Sequence, residues 1–277
     1  MRTWLLILIG LCNVVTESMA TQEQEEIVET QWANYLEIYQ ENEKVLESLD
    51  TQSDQLKADV RVMFIQMLVK MYPLVFFDDP DFPDFLPLLN NLYAHAGTSP
   101  NFTYTFASID GKGIYRLSGT RGSVRFVDVQ TGMNMPGLHE TPGPGLGSYR
   151  LDEFEIDRDG SFSIILSAER PSTHKGNWLH LDDKANYLFV RQMSYDWINE
   201  VDARIAVERL DAPLTKPRMS AEAIHEKTIR LFEGVKRSTP SWLRVVDSMR
   251  ERGVVNKLEL NQYSSIGGVV GQYYYEG

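Results

Sequence analysis

Cysteine is almost missing from this chain of 277 residues, Cys12 being the only one. That excludes a disulfide framework, and it leaves no thiolate pair for a metal site. Long apolar runs are missing too. The most extended, Trp4 to Val15 with Asn13 inside it, is too short to span a bilayer as a helix. Basic stripes are also absent. With 27 Lys and Arg against 39 Asp and Glu the net charge is −12, which excludes a nucleic-acid partner held by phosphate contacts. There is no Gly-x-Ser-x-Gly elbow. "HEKTI" at His225 lacks the second histidine of the helical zinc motif. "GPGLG" (Gly143–Gly147) is followed by no lysine and by a strand-like segment, so it is no phosphate loop. No cofactor is predicted.

The N-terminus reads as an export signal over residues 1–20. Arg2 supplies the positive start, the apolar run follows, and Ser18 and Ala20 hold the small-residue positions before a cleavage point. Leu11 stands where lipidation of Cys12 would need a small residue. Cleavage after Ala20 removes Arg2 and Glu17 together, so the charge stays at −12. It also removes Cys12 and leaves no membrane span. A secreted, periplasmic or secretory-lumen location is expected, and Asn101-Phe102-Thr103 is then a candidate glycosylation sequon at Asn101.

Residues 21–95 are predicted as a helical region. Val28, Trp32, Tyr35, Leu36, Tyr39, Leu46 and Leu49 recur at spacings of three and four. Ser53 or Asp54 caps a second helix, which carries Val60, Met63, Phe64, Met67, Leu68 and Met71 and ends before Pro73. A short helix is expected from about Pro83 to Tyr93. Residues 96–212 hold about seven strands: "TYTFASI", "GIYRLSG", "SVRFVDV", "YRLDEFEI", "SFSIILS", "NYLFVRQM" and "ARIAVERL". "DGKG" and "DRDG" read as hairpin turns. Residues 213–277 return to helix, from Ser220 to Lys236 and again from Thr239-Pro240 to Gly253, before a Gly/Tyr-rich tail. The predicted fold class is α+β: an antiparallel β-sandwich core flanked by N-terminal and C-terminal helices, with residues 21–277 as one structural unit.

Four segments carry a family likeness: "NFTYTFASIDGKGIYRLSGTRG", "DGSFSIILSAERP", "NWLHLDDKANYLFVRQMSYDW" and the late "GG…GQYYYEG". In that order they resemble the family named domain of unknown function 1214, often accompanied by a region numbered 1254. The resemblance implies a β-sandwich with flanking helices and no assigned activity. Phe102 and Thr103 stand where relatives usually carry an acid, and the resemblance implies one further strand beyond the tyrosine-rich end.

The segment Asn177–Trp197 is the densest in rare residues. As a strand, Tyr187, Phe189, Arg191 and Met193 face one way and Leu188, Val190 and Gln192 the other. Both faces are apolar, so the strand is expected to be central, with Arg191 needing a carboxylate partner. Asp196 is the nearest candidate, with Asp182 or Asp183 as others, and Trp178 and Trp197 are expected to cover the pair. A satisfied structural ion pair is the leading reading and an anion-binding Arg191 the other. His174, His180, Asp182 and Asp183 form a weaker candidate metal set without recognised spacing. Asp78, Asp79, Asp81 and Asp84 read as a capped, solvated turn rather than a calcium loop. Glu153 and Glu155 would share one strand face.

With 12 Phe, 13 Tyr and 5 Trp and no recognisable catalytic set, binding of a small apolar or amphipathic ligand in a sandwich cleft is expected. Candidate contacts are Arg191, Asp196, Trp178, Trp197, Tyr104 and Tyr115. The alternative is a hydrolase- or isomerase-type enzyme using Arg191, a carboxylate and Tyr104, Tyr115 or Tyr195. Expressed in an exporting host, the mature protein should begin at Thr21 by intact mass; a full-length product retained inside the cell would oppose the signal reading.

Overall fold

The computed structural model describes residues 53–90, 99–135, 137–141, 143–253, 258–261 and 272–275, with scattered helical positions between 33 and 47. The expected signal segment, most of the first helical stripe and Gly267-Gly268 lie outside the described residues. Two compact units divide the chain, residues 1–50 and 51–277, and every described strand belongs to the second.

Helix α1 spans Asp54–Phe76, and the Ser53 hydroxyl accepts from the Leu56 amide at its start. It buries Val60, Phe64, Met67, Met71, Leu74 and Val75. It passes through Pro73 to end one turn later, where the Phe77 amide donates to the Pro73 carbonyl; the expected stop before Pro73 is therefore wrong. Helix α2 is continuous over Ala221–Glu251 with Pro240 inside it, where two helices were expected. Near that proline the Ser241 hydroxyl donates to the Arg237 carbonyl. The two helices pack on one another, and α1 also touches the first strand.

The described residues form eleven strands: β1 Leu86–Leu89, β2 Phe102–Ser108, β3 Tyr115–Thr120, β4 Phe126–Gly132, β5 Gly145–Arg150, β6 Ser161–Ser167, β7 Asn177–His180, β8 Tyr187–Met193, β9 Arg204–Arg209, β10 Leu258–Asn261 and β11 Gln272–Tyr275. They form a five-stranded sheet ordered β1-β2-β8-β4-β5, a four-stranded sheet β7-β6-β3-β9 and a separate pair β10-β11. The class is α+β, as expected. All neighbours in the five-stranded sheet are antiparallel, whereas β7 joins β6 in parallel, so the sandwich is mixed.

Three local expectations fail for identifiable reasons. Residues 86–89 are an edge strand, because Pro87 would have broken a helix begun at Pro83, whereas an edge tolerates it. "YRLDEFEI" ends its strand at Arg150 and turns through a single 3₁₀ turn, Leu151–Glu153, so Glu153 and Glu155 share no strand face. The Asp110–Gly113 turn closes with a Gly113 amide to Asp110 carbonyl bond, but it joins β2 to β3 in the other sheet and is no hairpin. A side chain at Gly111 would put its Cβ 2.3 Å from the Asp182 carbonyl oxygen, so two loops meet there.

Alternation explains the core. Ala107, Val127, Val129, Leu188 and Val190 point from the first sheet to Tyr115, Leu117, Phe162, Ile164, Leu166 and Val207 of the second. The opposite face of the first sheet is also buried, with Tyr104, Phe106, Tyr187 and Phe189 on it. Tyr104 stacks on Phe189, with ring centroids 6.0 Å apart. Strand β8 is thus central and covered on both sides, as expected.

Arg191 sits on this second face. Its ladder partners are Tyr104 on β2 and Asp128 on β4. One guanidinium nitrogen donates to Asp128 Oδ2 at 3.2 Å, and the two side chains are only 7% and 2% exposed. Asp128 also accepts from the Gln130 amide and from the Ser148 hydroxyl at 2.9 Å. Among the described residues Arg191 Nε has no hydrogen-bond partner. The expected partner Asp196 is therefore replaced by Asp128, a residue 63 positions away that the ladder places directly opposite.

This asymmetry orders two substitutions. Asp128→Ala leaves a buried guanidinium unpaired and should cost about 3–5 kcal/mol. Arg191→Met leaves a carboxylate that still has two donors, and should cost about 1–3 kcal/mol. Urea unfolding of both variants measures the order; a reversed order would refute the account.

Candidate functional site

Where β8 leaves the sheet, the chain makes a loop from Ser194 to Ala203 before entering β9. Asp196 organises its first half. Its carboxylate accepts from the Ile198 amide at 3.1 Å, the Asn199 amide at 3.2 Å and the Asn199 side chain at 2.7 Å. Its carbonyl closes a turn with the Asn199 and Glu200 amides. Glu200 organises the second half, accepting from the Ser194 hydroxyl and the Tyr195 amide, each at 2.8 Å. The loop is also tied outward. The Ser194 amide donates to the Asn101 carbonyl, and the Ser123 and Val124 amides donate to the Val201 carbonyl. The Ser123 hydroxyl accepts from the Val201 amide.

A loop with this many internal bonds holds its side chains in fixed directions, and here it directs apolar ones into water. Tyr195 is 68% exposed, Trp197 66% and Ile198 92%. Of the three, Trp197 forms part of the wall of a cleft of about 320 Å³, lined also by Asn101, Phe102, Thr103, Gln192, Ser194 and the segment Glu200–Asp202. That volume lies at the lower end of the small-molecule range. The Gln192 amide is spent on the Ala203 backbone, donating at 3.1 Å and accepting at 2.7 Å. Phe102 is backed by Tyr104 and Phe126, 5.7 and 6.3 Å between centroids.

The expected constellation divides among three places. Trp197 and Asn101 line the cleft, with Asp196 shaping the loop above it. Arg191 and Tyr104 lie on the buried face of the first sheet. Burial pushes the Tyr104 phenol up, against the opposing influences of the Arg191 charge and the Ser99 amide. Tyr115 belongs to the second sheet, where its hydroxyl donates to the Pro80 carbonyl and accepts from the Asp110 amide. Burial raises that phenol to about 12. Trp178 is on β7, its indole donating to the Ser167 hydroxyl at 3.0 Å. Neither tryptophan covers the Arg191 pair, because one is in the other sheet and the other faces solvent.

The remaining polar sets are structural. His174 Nε2 donates to the Asn177 carbonyl and His180 Nδ1 to the Ala168 carbonyl, and the Asp182 carboxylate accepts from the Lys184 amide. Among the described residues no group of three metal-ligating side chains is assembled, and no helix is long and apolar enough to cross a membrane. The acids of "DDPDFPD" are mostly bonded rather than simply solvated: Asp78 pairs with Arg230, Asp79 with Lys216 and Asp81 with Arg209. That turn therefore fastens β9 and α2 to the end of α1. Sequence reading missed Gln192, Glu200 and Asp202 as wall residues. Only the run of polar and apolar residues after Met193 hinted at them.

The hydrogen bond from Ser194 Oγ, then the Tyr195 amide, hold the Glu200 carboxyl below the usual range. Asn199, then the Ile198 amide, do the same for Asp196. Because both folded values are depressed, the loop bonds persist above the unfolded carboxylate range and are lost as pH falls through the folded values. Trp197 emission, isolated as the difference between wild type and Trp197→Phe, should hold constant from neutral pH and shift only below the ordinary carboxylate range. A midpoint at or above the ordinary glutamate range would contradict the bonding described.

No family model matches the chain, and no curated protein does. The chain is similar in fold to the crystal structure of an uncharacterised protein from Burkholderia cenocepacia, at TM-score 0.76 and 23% identity over 87% of this chain. It spans 66% of that protein's length. A protein of Vibrio parahaemolyticus overlaps 43% of this chain and 33% of its own at 19% identity, with a TM-score of 0.30 that carries no weight.

Proposed function

We propose that this chain is an exported, non-catalytic binding protein of the domain of unknown function 1214 family, holding a small apolar or amphipathic molecule in the cleft at the β2–β8 end. One observation carries the reading: the loop after β8 fixes Trp197 over the cleft while leaving it 66% exposed. Exposing a large aromatic ring forgoes about 1.5–3 kcal/mol of burial. The loop cannot relieve this by folding inward, because Asp196 and Glu200 hold its backbone. A bound apolar group would supply the missing burial.

The enzymatic alternative would centre on Arg191, Asp128 and Tyr104. There the carboxylate is spent on three donors, and burial keeps the phenol protonated. Nothing in that group is poised as a base or nucleophile, which is why binding is placed ahead of catalysis. The unpartnered Nε of Arg191 is the observation in favour of the alternative.

The neutral fluorescent probe N-phenyl-1-naphthylamine should bind the mature protein with enhanced emission. Its affinity should fall at least about tenfold in Trp197→Ala, one hot-spot contact being worth roughly 1.4 kcal/mol or more. Trp178→Phe should bind as wild type. Unchanged affinity in Trp197→Ala would remove the cleft as the binding place.

A further inference from the structure

The cleft has an electrostatic character that an apolar site does not need. Two of its wall residues are carboxylates, Glu200 and Asp202, and none of its lining residues is Lys or Arg. Among the described residues Glu200 accepts from neutral donors alone, the Ser194 hydroxyl and the amides of Tyr195, Asp196 and Arg125, and no basic side chain is ion-paired to it. Asp202 is exposed and, among the described residues, its carboxylate accepts no hydrogen bond and joins no ion pair. Two uncompensated negative charges thus border an aromatic cleft, in a chain whose net charge is already −12.

We infer that the cleft selects amphipathic cations, an organic ammonium head held by the Trp197 ring and the carboxylates of Asp202 and Glu200 with its apolar tail beside Phe102. The inference rests on the binding function proposed above and names its ligand class. An anionic head would meet like charge at the wall. A neutral ligand would desolvate the carboxylates without compensating them. An ammonium compensates both and gains attraction to the face of an indole, the best of the aromatic rings for this contact. A bare metal ion fits poorly by the same reasoning. Glu200 Oε2 is already taken by three donors, and no third ligating side chain joins the pair among the described residues.

Three ligands with one tail separate head from tail: octyltrimethylammonium, 1-octanol and octanoate, each used below its micellar concentration to displace N-phenyl-1-naphthylamine. Octyltrimethylammonium should displace the probe at a concentration roughly tenfold lower than 1-octanol, with octanoate weakest. The preference should shrink in 1 M NaCl, where exposed charges are screened. Asp202→Asn should reduce it several-fold, weakening octyltrimethylammonium while 1-octanol binds at least as well as before, since one charge fewer has to be desolvated; among the described residues the Asp202 carboxylate takes part in no bond of the loop. Equal displacement by all three ligands, or a preference that survives Asp202→Asn, would overturn the inference and leave the binding reading standing. Failure of the probe to bind the wild-type cleft would overturn both.

Discussion

Burial of β8 on both faces is the constraint from which the rest of the sheet follows. A strand flanked by β2 and β4 and covered above and below cannot send a side chain to water. A charged residue in it must therefore find its counter-charge within the ladder. Asp128 is that counter-charge because the antiparallel register puts it directly across from Arg191. The carboxylate in turn requires further donors, and Gln130 and Ser148 supply them from β4 and β5. A single ionic group thereby links three adjacent strands by side chains as well as by backbone. It also makes register slippage costly, since one residue of slip would send Arg191 to the hydrocarbon core.

The constraint ends where β8 ends. From Ser194 onward the chain no longer lies between layers, and its hydrogen bonding passes from ladder partners to its own carboxylates. Asp196 and Glu200 take over the amides that a neighbouring strand would otherwise have satisfied. The outcome is a rigid loop with an apolar exterior, an arrangement that folding alone does not reward. Function is best sought where stability is not being served, and this is the ground on which the binding site is proposed beside Trp197 rather than at the better-buried Arg191.

Much of this architecture was legible in the sequence. The two-residue alternation of Tyr187–Met193 identified a doubly buried central strand, and the same period located β2, β3, β4, β6 and β9. What stayed hidden had physical causes. Proximity along the chain suggested Asp196 for Arg191, but ladder partners are set by register, which a single sequence does not display. Pro73 suggested a helix stop and Thr239-Pro240 a new helix start, yet α1 and α2, which pack on one another, both run through their prolines. Helix α1 did show its buried side, since Val60, Phe64, Met67 and Met71 of the expected stripe are buried, even though Val62, Ile65, Val69 and Tyr72 leave its other side apolar and exposed. Rare residues misled in a different way. Trp178 and Trp197 are close in sequence, but Trp178 lies on β7, an edge of the four-stranded sheet, and Trp197 on the loop that leaves the central strand of the five-stranded one.

The three acids of the cleft loop show how chemistry divides between folding and binding. Asp196 spends both oxygens on its own turn, and Glu200 spends one on three donors. Neither needs a cation to be stable, because amides and hydroxyls disperse their charge locally. Asp202 lies two residues further on, with a carboxylate that the fold does not use. An acid without an internal partner is ordinary on an open surface, where water satisfies it. On the wall of an aromatic cleft it is a different matter, since any ligand that fills the cleft displaces that water. The ligand must then bring a positive charge or forfeit the carboxylate's solvation, and this condition narrows the chemistry of the cleft further than its shape does.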